Sequence, residues 1–361
     1  MVELLLLDAL PGVGPVTVGA LVRAFGSPAR ALSARFEDFA AIAGREAARA
    51  RGDRRLRANV TETVQRARGL GISVISWNDD GYPPALLHLT DPPPVLFLRG
   101  APGLLDRPCV TIVGARRATE RARDVARRLA RELARAGSVV VSGLALGVDG
   151  AAHGGALEVG GDTVAVLGTG ADVPYPRTHR RLFEQVAKRG LLVSEFLPGT
   201  GAAPHHFPRR NRILAALAST VVVVEASARS GSLITVDHAL DLGRDVWAVP
   251  GPIDQAVCAG SNRLLGDGAR PLVSIDGFVE RVAASGSHRG VGADSGPRAG
   301  AVGLDALEAR ALAVLSEEGL PVDAVAGRLE VPVETALALL TMLEVHGEVE
   351  RLPGMRFRRA A

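Results

Sequence analysis

Phe207, Arg209, Arg210, Asn211 and Arg212 stand side by side in the stretch HHFPRRNRILAALAST, residues 205–220, with no acid among them. Arginine forks match pairs of phosphate oxygens. An aromatic ring beside them can stack a nucleobase, a contact worth roughly 1–3 kcal/mol and tolerant of sequence. The chemistry this set points to is capture of a single-stranded polyanion. The competing reading is internal: a core Phe207, and an arginine paired with Glu195 or Glu225 inside the fold. Arg212 is most open to it, because the apolar helix pattern begins one residue later.

Other loops carry related chemistry. Arg116 and Arg117 occur in VGARRAT, Arg177 and Arg180 in YPRTHR. In SGSLIT, Ser230, Gly231 and Ser232 precede a helix pattern and Thr235 falls in its first turn. Backbone N–H groups at such a junction form an anion pocket. Turn and N-cap chemistry accounts equally well for any one such loop; several on one sheet edge make a pocket.

Several chemistries are disfavoured. No G-x-G-x-x-G follows the first strand of the alternating region, and neither GxxxxGK[ST] nor a G-x-S-x-G elbow occurs, which argues against dinucleotides, P-loop hydrolysis and acyl transfer. Asp149, His153, His205 and His206 have no closed metal-site spacing. Glu225 and Asp237 could form a hydrolytic pair, but no motif fixes their geometry. No metal or cofactor is expected.

These residues belong to the stretch 109–282, which alternates between continuous apolar, β-branched runs (CVTIVGA, SVVVSG, TVAVLGTG, LLVSEF, TVVVVEA, DVWAVPG) and helical patterns. That predicts an α/β fold with a parallel sheet covered on both faces. Ligands then bind beyond the C-terminal strand ends, where the arginine and serine loops fall.

Residues 1–76 read as short helices. The turn Pro11-Gly12-Val13-Gly14 before a helix at Pro15 has helix-hairpin-helix (SAM-like) character; it either binds a DNA phosphate or only makes a turn. Arg45, Arg49, Arg51, Arg54, Arg55, Arg57, Arg66 and Arg68 follow, which a solvated helix face explains more simply than a phosphate-facing surface. Residues 77–108 are a proline-rich ordered connector and 283–303 a Gly/Ala/Ser-rich flexible linker. Residues 304–361, with helices at 305–318, 321–329 and 332–346 and a hairpin-like end, read as a winged-helix-like domain. Glu334 and Glu344 on its third helix disfavour major-groove reading and favour a structural or protein-contact role; Arg356, Arg358 and Arg359 argue the other way.

At 47% hydrophobic and 22% charged, a 361-residue chain is globular with two or three domains. A net charge of +3 leaves the choice of partner to arginine placement. Cys109 and Cys258, far apart in apolar segments, suggest reduced thiols and a cytoplasmic protein. MVELLLLDAL lacks the basic region of a signal peptide, and no apolar run reaches membrane-helix length.

In order, IVGAR, VSGLALGVDGAAH, AVLGTGADVPYP, LLVSEF, FPRRNRILAALA, VVVVEASARSGSLITVDHAL and VWAVPG resemble the DNA-processing protein A family (DprA, also called Smf) over about residues 70–275. The resemblance implies an extended Rossmann-like core with helical N-terminal and winged-helix-like C-terminal domains. It implies a non-enzymatic, homodimeric, cytoplasmic protein of natural transformation that binds and protects incoming single-stranded DNA and loads the recombinase RecA. Carried over by motif, Gly114 and Arg116, Arg177, and Phe207, Arg210, Asn211 and Arg212 would line the DNA pocket. Ser230, Gly231, Ser232 and Thr235 would supply phosphate donors. Some members have a lysine where this chain has Pro204, His205 and His206; either Arg209 replaces that charge or a histidine makes affinity pH-dependent. The rival class is a nucleotide phosphoribohydrolase resembling lysine-decarboxylase-like enzymes, whose PGGxGTxxE signature and glutamate have no match in SARSGSLITVDHA.

Overall fold

The computed structural model describes residues 1–287, 310–315, 319–329, 331, 333–345, 349–352 and 356–359. They belong to two compact units, Met1–Gly290 and Val291–Ala361. Most of the expected linker, from residue 288 to 303, lies outside the described residues. So does most of the expected helix 305–318, of which residues 310–314 are helical.

The first unit is built on a nine-stranded sheet. Its strands are β1 (Ser73–Ser76), β2 (Val95–Gly100), β3 (Cys109–Val113), β4 (Val139–Ser142), β5 (Thr163–Val166), β6 (Leu191–Ser194), β7 (Thr220–Val223), β8 (Asp245–Ala248) and β9 (Arg270–Pro271). They run in the order β1-β2-β6-β5-β4-β3-β7-β8-β9. Strands β3 to β9 are mutually parallel. Strand β2 runs antiparallel to β6, and β1 antiparallel to β2. The six strands read from the sequence are β3 to β8. The antiparallel edge comes from the end of the expected helical stretch and the middle of the expected connector.

Near-continuous apolar strands are explained by two covered faces. In β3, Cys109 and Val113 join one core with Ile213–Ala216, Leu233 and Val236. Val110 and Ile112 join the opposite core with Ala126, Leu129, Ala152 and Phe278. Helices α9 (His206–Leu217) and α10 (Ser232–Asp241) therefore cover one face. Helices α6 (Glu120–Arg135), α7 (Val148–Glu158) and α12 (Ile275–Ser287) cover the other, and α8 (Arg180–Arg189) packs beside β5 and β6 through Phe183 and Val186. Helix α6 shows why such segments are helical. Thr119 caps it by accepting from the Ala122 N–H at 3.1 Å, and Ala122, Ala126, Leu129, Ala130 and Leu133 form one buried stripe.

Helices α1 (Val2–Asp8), α2 (Pro15–Phe25), α3 (Pro28–Ser33), α4 (Phe36–Ala50) and α5 (Arg54–Gly69) pack around Leu4–Leu7, Leu21 and Phe39, and this core continues into Val95 and Phe97 of β2. Helix α11 (Ala259–Gly266) follows β8.

The second unit has a helical turn at 310–314, helices α13 (Val322–Leu329) and α14 (Val333–Val345), and strands β10 (Leu320–Pro321), β11 (Val349–Leu352) and β12 (Arg356–Arg359) in the order β10-β12-β11. Its own core contains Ala311, Val325, Leu340 and Phe357.

Candidate functional site

Strand β3 is the sheet's switch point. From it the chain builds outward through β4, β5 and β6, then crosses to β7 on the other side. Loops leave in opposite directions there and open a crevice at the C-terminal edge. A cavity of about 640 Å³ occupies it, lined by the end of β3 (Val113–Arg117), the loop after β4 (Ala145, Asp149), the start of α9 and the loop from Ser227 into α10. That volume suits a nucleotide-sized ligand.

Helix α9 begins at His206, which corrects the expectation of a loop through Arg212. Pro208 is tolerated because the first helical turn has no intrahelical N–H partners to lose. Helical geometry therefore separates residues that are adjacent in sequence. Phe207 is half-buried on the cavity side, where its ring meets Tyr175 at 5.4 Å between centroids. The Arg116 guanidinium lies 4.8 Å from the Phe207 ring centroid, a cation–π contact that holds an exposed cation over the cavity. Gly168 makes room for the ring: a methyl group there would sit 2.8 Å from Phe207 Cδ1.

Arg210 lines the cavity floor and is buried. Its Nη1 donates to the carbonyls of Gly143, at 2.9 Å, and Val166, and its Nε donates to Asn211 Oδ1 at 3.3 Å. It thus braces the ends of β4 and β5 against α9. Gly143 is required by that brace, since a methyl group there would lie 2.4 Å from Arg210 Nη2. Burial, aided by Arg116, pulls the Arg210 pKa down to about 10, against the opposing pull of Asp149. Arg210 is therefore cationic at neutral pH. The Asp149 carboxylate accepts from the Gly143 and Ala145 N–H groups at 3.1 and 3.3 Å, and burial raises its pKa.

Arg212 corrects an expectation. It is not among the cavity-lining residues. It grips both carboxylate oxygens of Glu195 at 2.9 Å and reaches Asp91 Oδ2 at 2.8 Å. Arg212 and Glu195 side chains are 3% and 1% exposed. Burial alone would lower the Arg212 pKa, but Glu195 and Asp91 hold it above the usual arginine value. Arg209 joins the same carboxylate through Nε at 2.8 Å. Arg177 is exposed after the Tyr175–Pro176 bond and also lies outside the cavity lining.

The opposite wall is the N-terminus of α10. Asn211 Nδ2 donates to the Gly231 carbonyl at 3.1 Å, tying α9 to this loop, and the Ser230 and Ser232 hydroxyls lie 2.8 Å apart. Thr235 is 1% exposed and lines the cavity, and its Oγ1 has no hydrogen-bond partner. An orphan buried hydroxyl is costly, and here it stands in the first turn of a helix whose dipole favours an anion. Gly114 also lines the cavity, and its lack of a side chain lets Val148 and the Glu225 carbonyl close on β3.

The Arg116 loop is pinned at both ends by one residue. Ala115 N–H donates to the Glu225 carbonyl at 2.7 Å, and Thr119 donates its N–H and hydroxyl to the Glu225 carboxylate at 3.0 and 2.7 Å. Glu225 is thus spent on positioning Arg116. The sequence reading missed Tyr175 as a wall of this site; an aromatic two residues before Arg177, in a chain with only 4% aromatics, was the available signal. It also missed Asp91 as an arginine partner. The His206 ring stacks on Phe196 at 4.2 Å, and its Nδ1 lies 3.2 Å from the Gly168 carbonyl. Among the described residues, no cluster of three or more His, Cys, Asp or Glu side chains could hold a metal, and no helix is long and apolar enough to cross a membrane.

Comparison with known proteins gives concordant findings. The family model for DNA recombination-mediator protein A matches residues 73–283, and that for the DprA winged helix domain matches residues 295–355. The DNA processing protein DprA of Streptococcus pneumoniae is 43% identical over 196 residues, 54% of this chain and 69% of its own. Protein Smf of Escherichia coli is 38% identical over 294 residues, 80% of this chain and 78% of its own. The X-ray structure of the S. pneumoniae protein aligns with a TM-score of 0.67 at 33% identity, covering 77% of this chain and 95% of that one. The Helicobacter pylori DNA processing protein A, in a structure concerned with its single-stranded DNA binding mode, aligns with a TM-score of 0.55 at 31% identity, covering 59% of this chain and 96% of that one.

Proposed function

The chain belongs to the DNA recombination-mediator protein A family, and on that premise we propose that it binds single-stranded DNA in the switch-point cavity, without catalysing a reaction. The observation that carries the proposal is a cavity with Arg116 over Phe207 on one wall and the N-terminus of α10 on the other, where Thr235 lines the cavity and its buried hydroxyl has no partner. A backbone phosphate at α10 accepts from Thr235 and from the loop of Ser230–Ser232, while Arg116 supplies a fork of donors. A base stacks against Phe207 and Tyr175. Each contact is to phosphate or to a ring face, so binding is salt-dependent and nearly indifferent to sequence. Glu225, the carboxylate a hydrolytic reading would need, is occupied by Thr119, which supports binding over catalysis.

The family supports the wider role: a homodimeric cytoplasmic mediator that protects incoming single strands and loads RecA during natural transformation. The test of the core proposal is titration of oligo-dT across salt concentrations. Arg116→Ala should weaken binding and flatten the log–log salt slope by about 0.7, the contribution of one phosphate contact on a single strand. A folded Arg116→Ala protein that binds with wild-type affinity and slope would overturn it.

A further inference from the structure

Helix α5 carries Arg54, Arg55, Arg57, Arg66 and Arg68 against a single acid, Glu62. Five cations less one anion give it +4, more than the +3 of the whole chain. All five arginines are exposed, because Val60, Val64 and Ala67 take the buried face. Among the described residues only Arg66 makes an ion pair, with Asp172 at 3.6 Å, and its side chain is still 61% exposed. A solvated helix face normally interleaves both signs; this one sets a single acid, Glu62, among five arginines.

Its position adds a second observation. Asp172 lies in the loop after β5 and accepts from the Gly199 N–H at 2.7 Å, and the Arg66 guanidinium borders Gly199. Three residues further on, Ala202 to Pro204 line the cavity. The cationic face thus begins beside the loop that, three residues on, lines the candidate site. From Arg66 it runs back to Arg55, eleven residues, or about 16 Å at the α-helical rise.

We propose that the exposed face of α5 is a second contact surface for the same single strand, taking the phosphates that leave the cavity past Ala202–Pro204. This rests on the reading of the cavity as a single-strand site. Arginines spaced along a helix and joined to a stacking pocket form a groove that follows a backbone without reading bases. The sequence alone favoured a solvated face; continuity with the loop that lines the cavity reverses that preference.

The experiment compares the full chain with Arg54→Ala/Arg55→Ala/Arg57→Ala, which leaves Arg66 and its loop contact intact and keeps good helix formers. The control is Arg127→Ala/Arg128→Ala/Arg131→Ala on α6, which removes the same charge from residues paired with Glu158, Asp124 and Glu132. Circular dichroism checks folding. Binding is measured with oligo-dT of about six and about twenty nucleotides. The α5 variant should bind the short oligomer like wild type, lose roughly tenfold or more on the long one, and show a salt slope smaller by about 2 there, three contacts at about 0.7 each. The α6 control should leave both unchanged. Wild-type binding of the long oligomer by the α5 variant overturns the proposal, as does an equal loss in the α6 control or a matching loss on the short oligomer. Failure of the cavity reading is separately visible, as short-oligomer binding that ignores Arg116→Ala.

Discussion

Arg210 and Arg212 are two residues apart and have different duties. Arg212 is locked between Glu195 and Asp91, so Arg212→Ala leaves the buried Glu195 carboxylate with Arg209 alone and should cost roughly 1.5–3 kcal/mol of stability. A lowered denaturation midpoint with unchanged oligo-dT affinity in the folded fraction is the expected result. Thr235→Val should do the reverse. It replaces an orphan buried hydroxyl with a methyl group, so stability should hold or rise, while affinity falls through the lost phosphate donor. Phe207→Ala should weaken binding by roughly 1–3 kcal/mol per stacked base without much changing the salt slope, since no charge is removed. Because Arg116 lies over that ring, the Phe207→Ala/Arg116→Ala double variant should be non-additive by about 0.5–1 kcal/mol.

At the scale of elements, the Glu195 cluster joins pieces distant in sequence. Glu195 follows β6, Asp91 precedes β2, and Arg209 and Arg212 belong to α9. The end of α1 is coupled to it. Burial raises the Asp8 pKa to about 6, with Arg209 and Arg212 opposing and Glu195 assisting. A carboxyl whose folded pKa lies above its ordinary 3.8 binds protons more tightly in the native state. Its contribution is therefore greatest below pH 4 and is lost as pH rises through about 6. Asp8→Asn should raise the melting temperature at pH 8 and give little gain below pH 4. An equal gain at both would assign the effect to packing. That coupling was not legible in MVELLLLDAL, because no local pattern links Asp8 to residues two hundred positions away.

For the whole molecule, the cavity and the cores around it lie within Met1–Gly290, and Val291–Ala361 has a separate core. Residues 1–290 expressed alone should therefore unfold cooperatively and bind oligo-dT as the full chain does; a large loss of affinity would assign the second unit a direct part in binding. In that unit, Arg358 pairs with Glu350 and Arg356 donates to the Gly319 carbonyl at 2.9 Å.

Much of the architecture was legible because strand patterns are local. CVTIVGA and TVVVVEA can bury both faces only inside a covered parallel sheet, and the loops at their C-terminal ends, with Arg116 and Ser230–Thr235, follow from strand direction. Where FPRRNR points was not legible. A run of cations looks uniform in one dimension. Helix α9 starts early enough to rotate Phe207 toward the cavity, Arg210 into its floor, and Arg212 onto Glu195. The amino-acid sequence by itself determined the six parallel strands β3 to β8, the C-terminal edge they share and the residue types brought there. Tertiary structure alone decided which arginine lines the cavity and which meets a buried carboxylate, because a 100° turn per residue and partners distant in the chain set that choice.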